Sequence, residues 1–384
     1  MRICILTQPL GHNYGGLLQA YALQTVLKRM GHEVWTEDRR NNNLRFVLRV
    51  KKIIREILTF MLGRVSSRFR KVYYPTQRHW DVIRQHTNSF VRQYLTVTDP
   101  VLSSDKQLLK RYAFEAYVVG SDQVWRPMYS PCLTNYFLDF TKNDIVKRIA
   151  YAASFGTDEW EYTRNQTKKC SRLVQRFDAV SVRETSGVVL CEKYLHIRAV
   201  QVLDPTLLLD KEDYINLIGN DISSELKLKG NGVYTYILDE SPEKTQIIQI
   251  VLNTLNLGSF SVMPQSNFYK VGPESINQCI YAPVSMWIEG FKKAEFVVTD
   301  SFHGTVFSIL FNKPFVVIAN RNRGVDRFVS LLKMVGLENR LLFSPTDLTE
   351  ELITTPIDFS KVNALIVSER MKSMKFLYEY LKTD

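Results

Sequence analysis

Cysteine is scarce in this sequence. The five residues Cys4, Cys132, Cys170, Cys191 and Cys279 are widely spread and form no Cys-x-x-Cys pair, which excludes the common zinc and redox signatures and leaves them as reduced thiols. Long apolar runs are also missing: none approaches the roughly 18 uninterrupted residues that a membrane-spanning helix needs. The apolar start, residues 1–7, passes directly into polar and glycine residues and lacks the length and cleavage site of a secretory signal. No internal repeat or low-complexity tract is found. Acidic residues fall short of basic ones, 39 against 50, and the formal charge of +11 favours anionic partners such as phosphorylated substrates, acidic glycans, nucleic acid or the inner membrane leaflet. Nucleic acid is not expected, because the basic cluster lacks regularly interleaved aromatics and no known recognition module appears. A cytoplasmic enzyme fits best, with peripheral contact at the inner face of the cytoplasmic membrane left open.

What is present is an ordinary globular composition, 45% apolar and 23% charged, over 384 residues. Single cores stop growing near about 250 residues, so two domains are expected. The opening reads strand, glycine loop, helix: residues 2–7 are apolar, 11–16 are turn-rich, and Ala20, Leu23, Leu27 and Met30 recur at helical spacing. A second strand at 32–36 follows the Gly31 helix stop, as in Rossmann-like domains. Further strands are expected at 117–119, 149–153, 179–182 and 200–203, and a second series at 233–237, 260–263, 296–298 and 315–318. The predicted fold is α/β with two Rossmann-like lobes facing a cleft. Residues 1–205 form the first lobe, with a basic helical insertion at about 44–95; 206–360 form the donor-binding lobe; and 361–384 form a helix of the kind that returns to the first lobe. Within the insertion, residues 45–71 carry nine Lys and Arg against Glu56 alone, with apolar residues at three- and four-residue steps. This amphipathic segment either packs on its own domain or docks on an anionic membrane surface.

Ligands of open parallel sheets bind beyond the carboxyl ends of the strands, which singles out four strand exits. In the first, Asn13, Tyr14, Gly15 and Gly16 open a helix whose amides can face an anion, although such glycines also serve simply to make the turn. The second places Ser121, Asp122, Gln123 and Trp125 together, as a ligand site or as a turn capped by Asp122 with Trp125 in the core. Arg183 at the third must meet an anion, either Glu184 or another carboxylate, or a substrate carboxylate or phosphate. The fourth carries Asp300, Ser301, His303, Gly304 and Thr305 at a helix start, where the dipole favours a neutral imidazole able to exchange a proton. His12 is a lesser candidate in the first loop.

Taken in order, Tyr14-Gly15-Gly16-Leu17-Leu18-Gln19-Ala20, Val119-Gly120-Ser121-Asp122-Gln123-Val124-Trp125, Ser181-Val182-Arg183-Glu184, Asp204-Pro205-Thr206 and Thr299-Asp300-Ser301-Phe302-His303-Gly304 resemble the polysaccharide pyruvyl transferase family. The resemblance runs from about Met1 to Arg327. It implies a fold like that of the type B glycosyltransferases, with phosphoenolpyruvate bound between the lobes and a pyruvate ketal formed on a sugar acceptor during cell-surface polysaccharide synthesis. Family members use an arginine at the Arg183 position and a histidine at the His303 position to hold or activate the donor. Several relatives carry Arg-x-His where this chain has Ser301-Phe302-His303, so one expected cation is missing, and Arg321, Arg323 or Arg327 could replace it. The implied roles are proton transfer by His303, an anion clamp by Arg183, and orientation of His303 or an acceptor hydroxyl by Asp122 or Asp300. No metal or cofactor is expected, phosphoenolpyruvate being a substrate, and the basic insertion points to a lipid-linked acceptor. Two alternatives stay open: a nucleotide-sugar glycosyltransferase on the same fold, and a non-catalytic glycan-binding scaffold.

Overall fold

The computed structural model describes residues 1–40, 72–102, 111–130, 132–141, 144–219, 231–320 and 324–382. The basic segment 45–71 and the candidates Arg321 and Arg323 lie outside these residues.

Short apolar runs become the inner strands of two parallel sheets, because strands covered on both faces have no polar side to display. The first sheet is built from β1 (Arg2–Leu6), β2 (Glu33–Thr36), β5 (Ala116–Val119), β6 (Lys147–Ala153), β7 (Ala179–Val182) and β8 (Val200–Gln201), in the order β2-β1-β5-β6-β7-β8. A parallel ribbon of β3 (Arg39–Arg40) and β4 (Val101–Leu102) stands beside it. The second sheet holds β9 (Gly232–Tyr236), β10 (Ser259–Phe260), β11 (Ala294–Thr299), β12 (Phe315–Ile318) and β13 (Leu341–Leu342), in the order β10-β9-β11-β12-β13. Register brings the carboxyl ends level: Leu6 faces Val119 and Ala153 faces Val182 in one sheet, while Thr299 faces both Tyr236 and Val317 in the other.

The two lobes are packed together rather than merely tethered. One apolar core runs continuously from Ile3, Ile5 and Leu18 to Tyr234, Trp287 and Val297. At their junction the Tyr14 ring stacks on Trp287 with centroids 5.7 Å apart, and its hydroxyl donates to the Ala282 carbonyl at 2.9 Å. The described part of the insertion, helices Gln77–Ile83 and Gln85–Tyr94, reaches across as well, since Ile83 accepts a backbone hydrogen bond from Tyr281 at 3.0 Å. The last helix, Phe359–Leu381, lies on the first sheet: Ser373 Oγ accepts from the Leu203 amide at 2.9 Å, and Lys147 Nζ donates to the Tyr380 carbonyl at 3.3 Å. Among the described residues no helix is long and apolar enough to cross a membrane.

Candidate active site

The helix Tyr14–Arg29 starts where Asn13 Oδ1 accepts from the Gly16 amide at 3.2 Å, a side-chain cap that replaces one missing intrahelical bond. Gly15 on its first turn lies against the other lobe, so closely that a Cβ there would overlap the His303 ring. His303 itself sits on the first turn of the helix Phe302–Leu310, capped by Ser301 Oγ, which accepts from the Gly304 amide at 3.3 Å. Thr305 Oγ1 donates to the Ser301 carbonyl at 3.1 Å and is fully buried, and a Cβ on Gly304 would overlap Thr299. These three side positions therefore build the turn that presents His303.

Behind the cleft stands Asp204, at the end of the first sheet and fully buried. Its Oδ2 accepts from Arg183 Nη1 at 2.8 Å and from Ser121 Oγ at 3.2 Å, and lies 3.6 Å from His303 Nε2. Its Oδ1 accepts from the Thr206 amide at 3.0 Å and the Thr206 hydroxyl at 2.7 Å. Burial alone would raise the Asp204 carboxyl, but His303 and Arg183 outweigh it and hold the group well below the usual carboxylate range. In the sequence Asp204 stood out only within the Asp204-Pro205-Thr206 motif. It joins Arg183 of the first lobe to His303 of the second.

Arg183 is enclosed by carboxylates, with Nη2 3.7 Å from Asp122 Oδ1 and Nε 3.9 Å from Glu184 Oε2, and its guanidinium lies 4.4 Å from the centre of the Phe302 ring. Neither Nε nor Nη2 has a hydrogen-bond partner among the described residues. Glu184 Oε1 is spent on Ser154 Oγ at 2.7 Å and on the amides of Phe155 and Gly156 at 2.9 and 3.1 Å, and burial pushes its carboxyl up against the pull of Arg183.

A cavity of about 250 Å³ opens between the lobes, walled by Gln8, Asn13, Asp122 and Gln123 on one side and by Asp300, Ser301, His303 and Arg327 on the other. Arg327, on the helix Asp326–Met334, is almost fully buried, and burial together with neighbouring Arg183 pushes it down to about 10. Asp300 is turned the other way: Oδ1 accepts from the Leu238 amide at 2.8 Å and Oδ2 from Lys244 Nζ at 2.6 Å. Burial raises its carboxyl, and Lys244 opposes the rise. Lys244 also contacts Asp239, whose carboxylate accepts from Asn320 Nδ2 at 2.8 Å. Nothing in the sequence around Lys244 marked it as part of this group.

The structure places several of the expected site residues away from the cavity wall. Trp125 does not face the cavity: it is fully buried, stacked on Phe137 at 5.0 Å, with Nε1 donating to the Tyr136 carbonyl at 3.0 Å. Tyr14 belongs to the lobe junction described above, and Gly15 and Gly16 to the helix start, rather than to the cavity wall. Ser121 is fully buried, its amide donating to Gln19 Oε1 at 3.1 Å. Asp122 caps no helix; it sits in a left-handed turn at φ 70° and accepts from the Gln123 amide at 2.9 Å. Arg183 stands behind the wall formed by Asp122 and Phe302, so the cation on the described cavity wall is Arg327. The carboxylate beside His303 is Asp204, while Asp300 is held by Lys244. Among the described residues no group of three or more His, Cys, Asp or Glu is arranged to hold a metal ion.

Two parallel sheets with a cleft at their carboxyl ends and polar groups from both sides define the two-lobed architecture of the type B glycosyltransferases. Solved structures share it over the full chain: a glycosyltransferase from Rickettsia africae ESF-5 (TM-score 0.54, 8% identity, 100% of this chain and 99% of that one) and a UDP-glucosyltransferase from Polygonum tinctorium (0.51, 10%, 100% and 99%). A UDP-GlcNAc 2-epimerase from Neisseria meningitidis aligns similarly (0.50, 8%, 99% of each). No curated protein sequence matches the chain. The family model described as polysaccharide pyruvyl transferase matches residues 13–322, and the chain belongs to that family.

Proposed function

We propose that this protein transfers the enolpyruvyl unit of phosphoenolpyruvate to a sugar and closes it into a pyruvate ketal. The observation that carries the reading is the meeting of His303 and Arg183, one from each lobe, on Asp204 at the back of a small cavity that Arg327 also lines. Across this reaction one acceptor hydroxyl adds to C2 of the donor as the methylene carbon gains a proton; phosphate then leaves and a second hydroxyl closes the ring. Both hydroxyl protons are accounted for, one on carbon and one on phosphate, so a single group that alternately gives and takes a proton suffices. His303 suits that role, because it lines the cavity and the buried Asp204 carboxylate 3.6 Å from Nε2 fixes its ring there. Arg327 meets the anionic donor at the wall, and Arg183 fixes Asp204 and Asp122 behind it.

The acceptor is proposed to be lipid-linked, with the basic segment 45–71 at the membrane surface. Incubating pure protein with phosphoenolpyruvate and a panel of acceptor oligosaccharides should release inorganic phosphate in an acceptor-dependent way. Release of a nucleoside diphosphate from a nucleotide sugar instead, without phosphate release from phosphoenolpyruvate, would replace this reading by glycosyl transfer.

A further inference from the structure

A second concavity, of about 560 Å³, lies on the outer side of the first lobe, at a distance in sequence and in lining residues from the cleft. Its size suits a ligand of several sugar units, being within the range of small-molecule sites. One wall is the helix Arg164–Val174, whose Thr163 cap is matched by Gln166 in a capping box. Arg164, Lys168 and Arg172 are exposed at steps of four along it, so the three cations share one face about 6 Å apart per step. None of the three makes an ion pair among the described residues, whereas neighbouring Lys169, on another face, lies 3.8 Å from Asp139.

The opposite wall is a stack of three rings. Trp160 lies between Tyr162 (4.3 Å) and Tyr194 (4.5 Å, 9° between planes), and its Nε1 donates to Thr167 Oγ1 at 2.9 Å, which ties the stack to the helix. Both faces of Trp160 are thus occupied, and Lys193 Nζ lies 5.1 Å from the centre of the Tyr194 ring. What this wall presents is a rigid ring ledge opposite a row of unmatched positive charge.

The two concavities are joined by one loop. At its near end Gly156 packs on Gln123 of the cleft, and at its far end Tyr162 donates to the Trp125 carbonyl at 2.6 Å and closes the outer groove. We infer that the outer groove binds the carboxylate-bearing stretch of the acceptor polysaccharide, holding units that already carry acidic groups while a fresh unit occupies the cleft. This rests on the proposed ketal transfer, each turnover of which adds one carboxylate to the sugar chain and so makes a ligand for the cationic row.

Binding is read with hexagalacturonate, a carboxylate-bearing oligosaccharide, against neutral maltohexaose and a dT hexanucleotide, using the full chain. The expected result is hexagalacturonate binding that weakens with added salt, falls about tenfold or more in the triple variant Arg164→Ala, Lys168→Ala, Arg172→Ala, and exceeds that of both other probes. Equal binding by the variant, or tighter binding of the neutral or nucleotide probe, overturns the groove. Phosphate release with a short acceptor should be unchanged in the triple variant, whose positions are exposed and remote from Asp204. Loss of phosphate release in the parent with hexagalacturonate binding intact rejects the proposed reaction and leaves an anionic-glycan site; the converse pattern rejects the groove alone.

Discussion

Arg183 is tied to three carboxylates and His303 to one, so the two side chains should fail in different ways when removed. Deleting the guanidinium strips the buried Asp204 and Glu184 of their shared cation, leaving Asp204 only His303, and breaking a buried pair of this kind costs about 3–5 kcal/mol. Arg183→Ala should therefore lower the melting temperature markedly as well as activity. His303→Gln keeps much of the volume and a polar tip beside Asp204, and should abolish phosphate release with a stability change within about 1 kcal/mol. If the glutamine variant turns over at the parental rate, His303 carries no proton. Arg327→Ala tests the other assignment. Loss of a charged hydrogen bond to the donor, about 1.5–3 kcal/mol, predicts a KM for phosphoenolpyruvate raised about 10- to 100-fold. A change confined to kcat would mean that Arg327 does not hold the ground-state donor.

Strands were the most readable part of the chain, because burial on both faces leaves an uninterrupted apolar run. The expected strands at 179–182 and 315–318 coincide with β7 and β12, and 117–119 with most of β5. Edge strands were overread: 200–203 pairs only over Val200–Gln201 and 260–263 only at Ser259–Phe260, since apolarity signals burial and not ladder hydrogen bonds. Polar groups placed by strand exits were readable as groups but not as directions, which is how Trp125 entered the expected site while Asp204 and Lys244 stayed outside it. The helices 77–94 offer a test of how the insertion is fastened. Arg84 Nε donates to His12 Nδ1 at 3.2 Å, and the His12 ring lies 4.4 Å from Tyr281 of the other lobe. Burial, then the Arg84 charge, lowers His12 from 6.5 to about 4. Between those values the unfolded chain binds the extra proton and the folded one does not, so stability falls as pH drops through that window. The loss between pH 7 and 4.5 should be on the order of 2 kcal/mol greater in the parent than in His12→Gln, by denaturant melts at each pH. Parallel pH profiles for the two proteins would show that His12 stays accessible to protons.

Chains with two lobes often melt in two steps, since each lobe has its own core. Here the junction contradicts that expectation: Trp287 is fully buried, packed against Tyr14 of the first lobe at 5.7 Å and against Phe291 and Phe307 of its own lobe at 4.7 and 4.8 Å. The final helix adds a second tie by returning to Leu203 and Lys147 after the second sheet is complete. A cleft braced on both flanks keeps Asp204 and His303 in register without a bound ligand, because separating the lobes would expose Tyr14, Trp287 and the apolar face between them. Calorimetry should accordingly give one endotherm whose van't Hoff and calorimetric enthalpies agree. Trp287→Ala should move that endotherm as a whole, with a cost of about 3–5 kcal/mol for the lost ring and the cavity left behind. Two resolved endotherms in the parent, or a variant in which only one of two transitions shifts, would mean that the lobes fold separately and that the alignment of His303 with Asp204 depends on ligand.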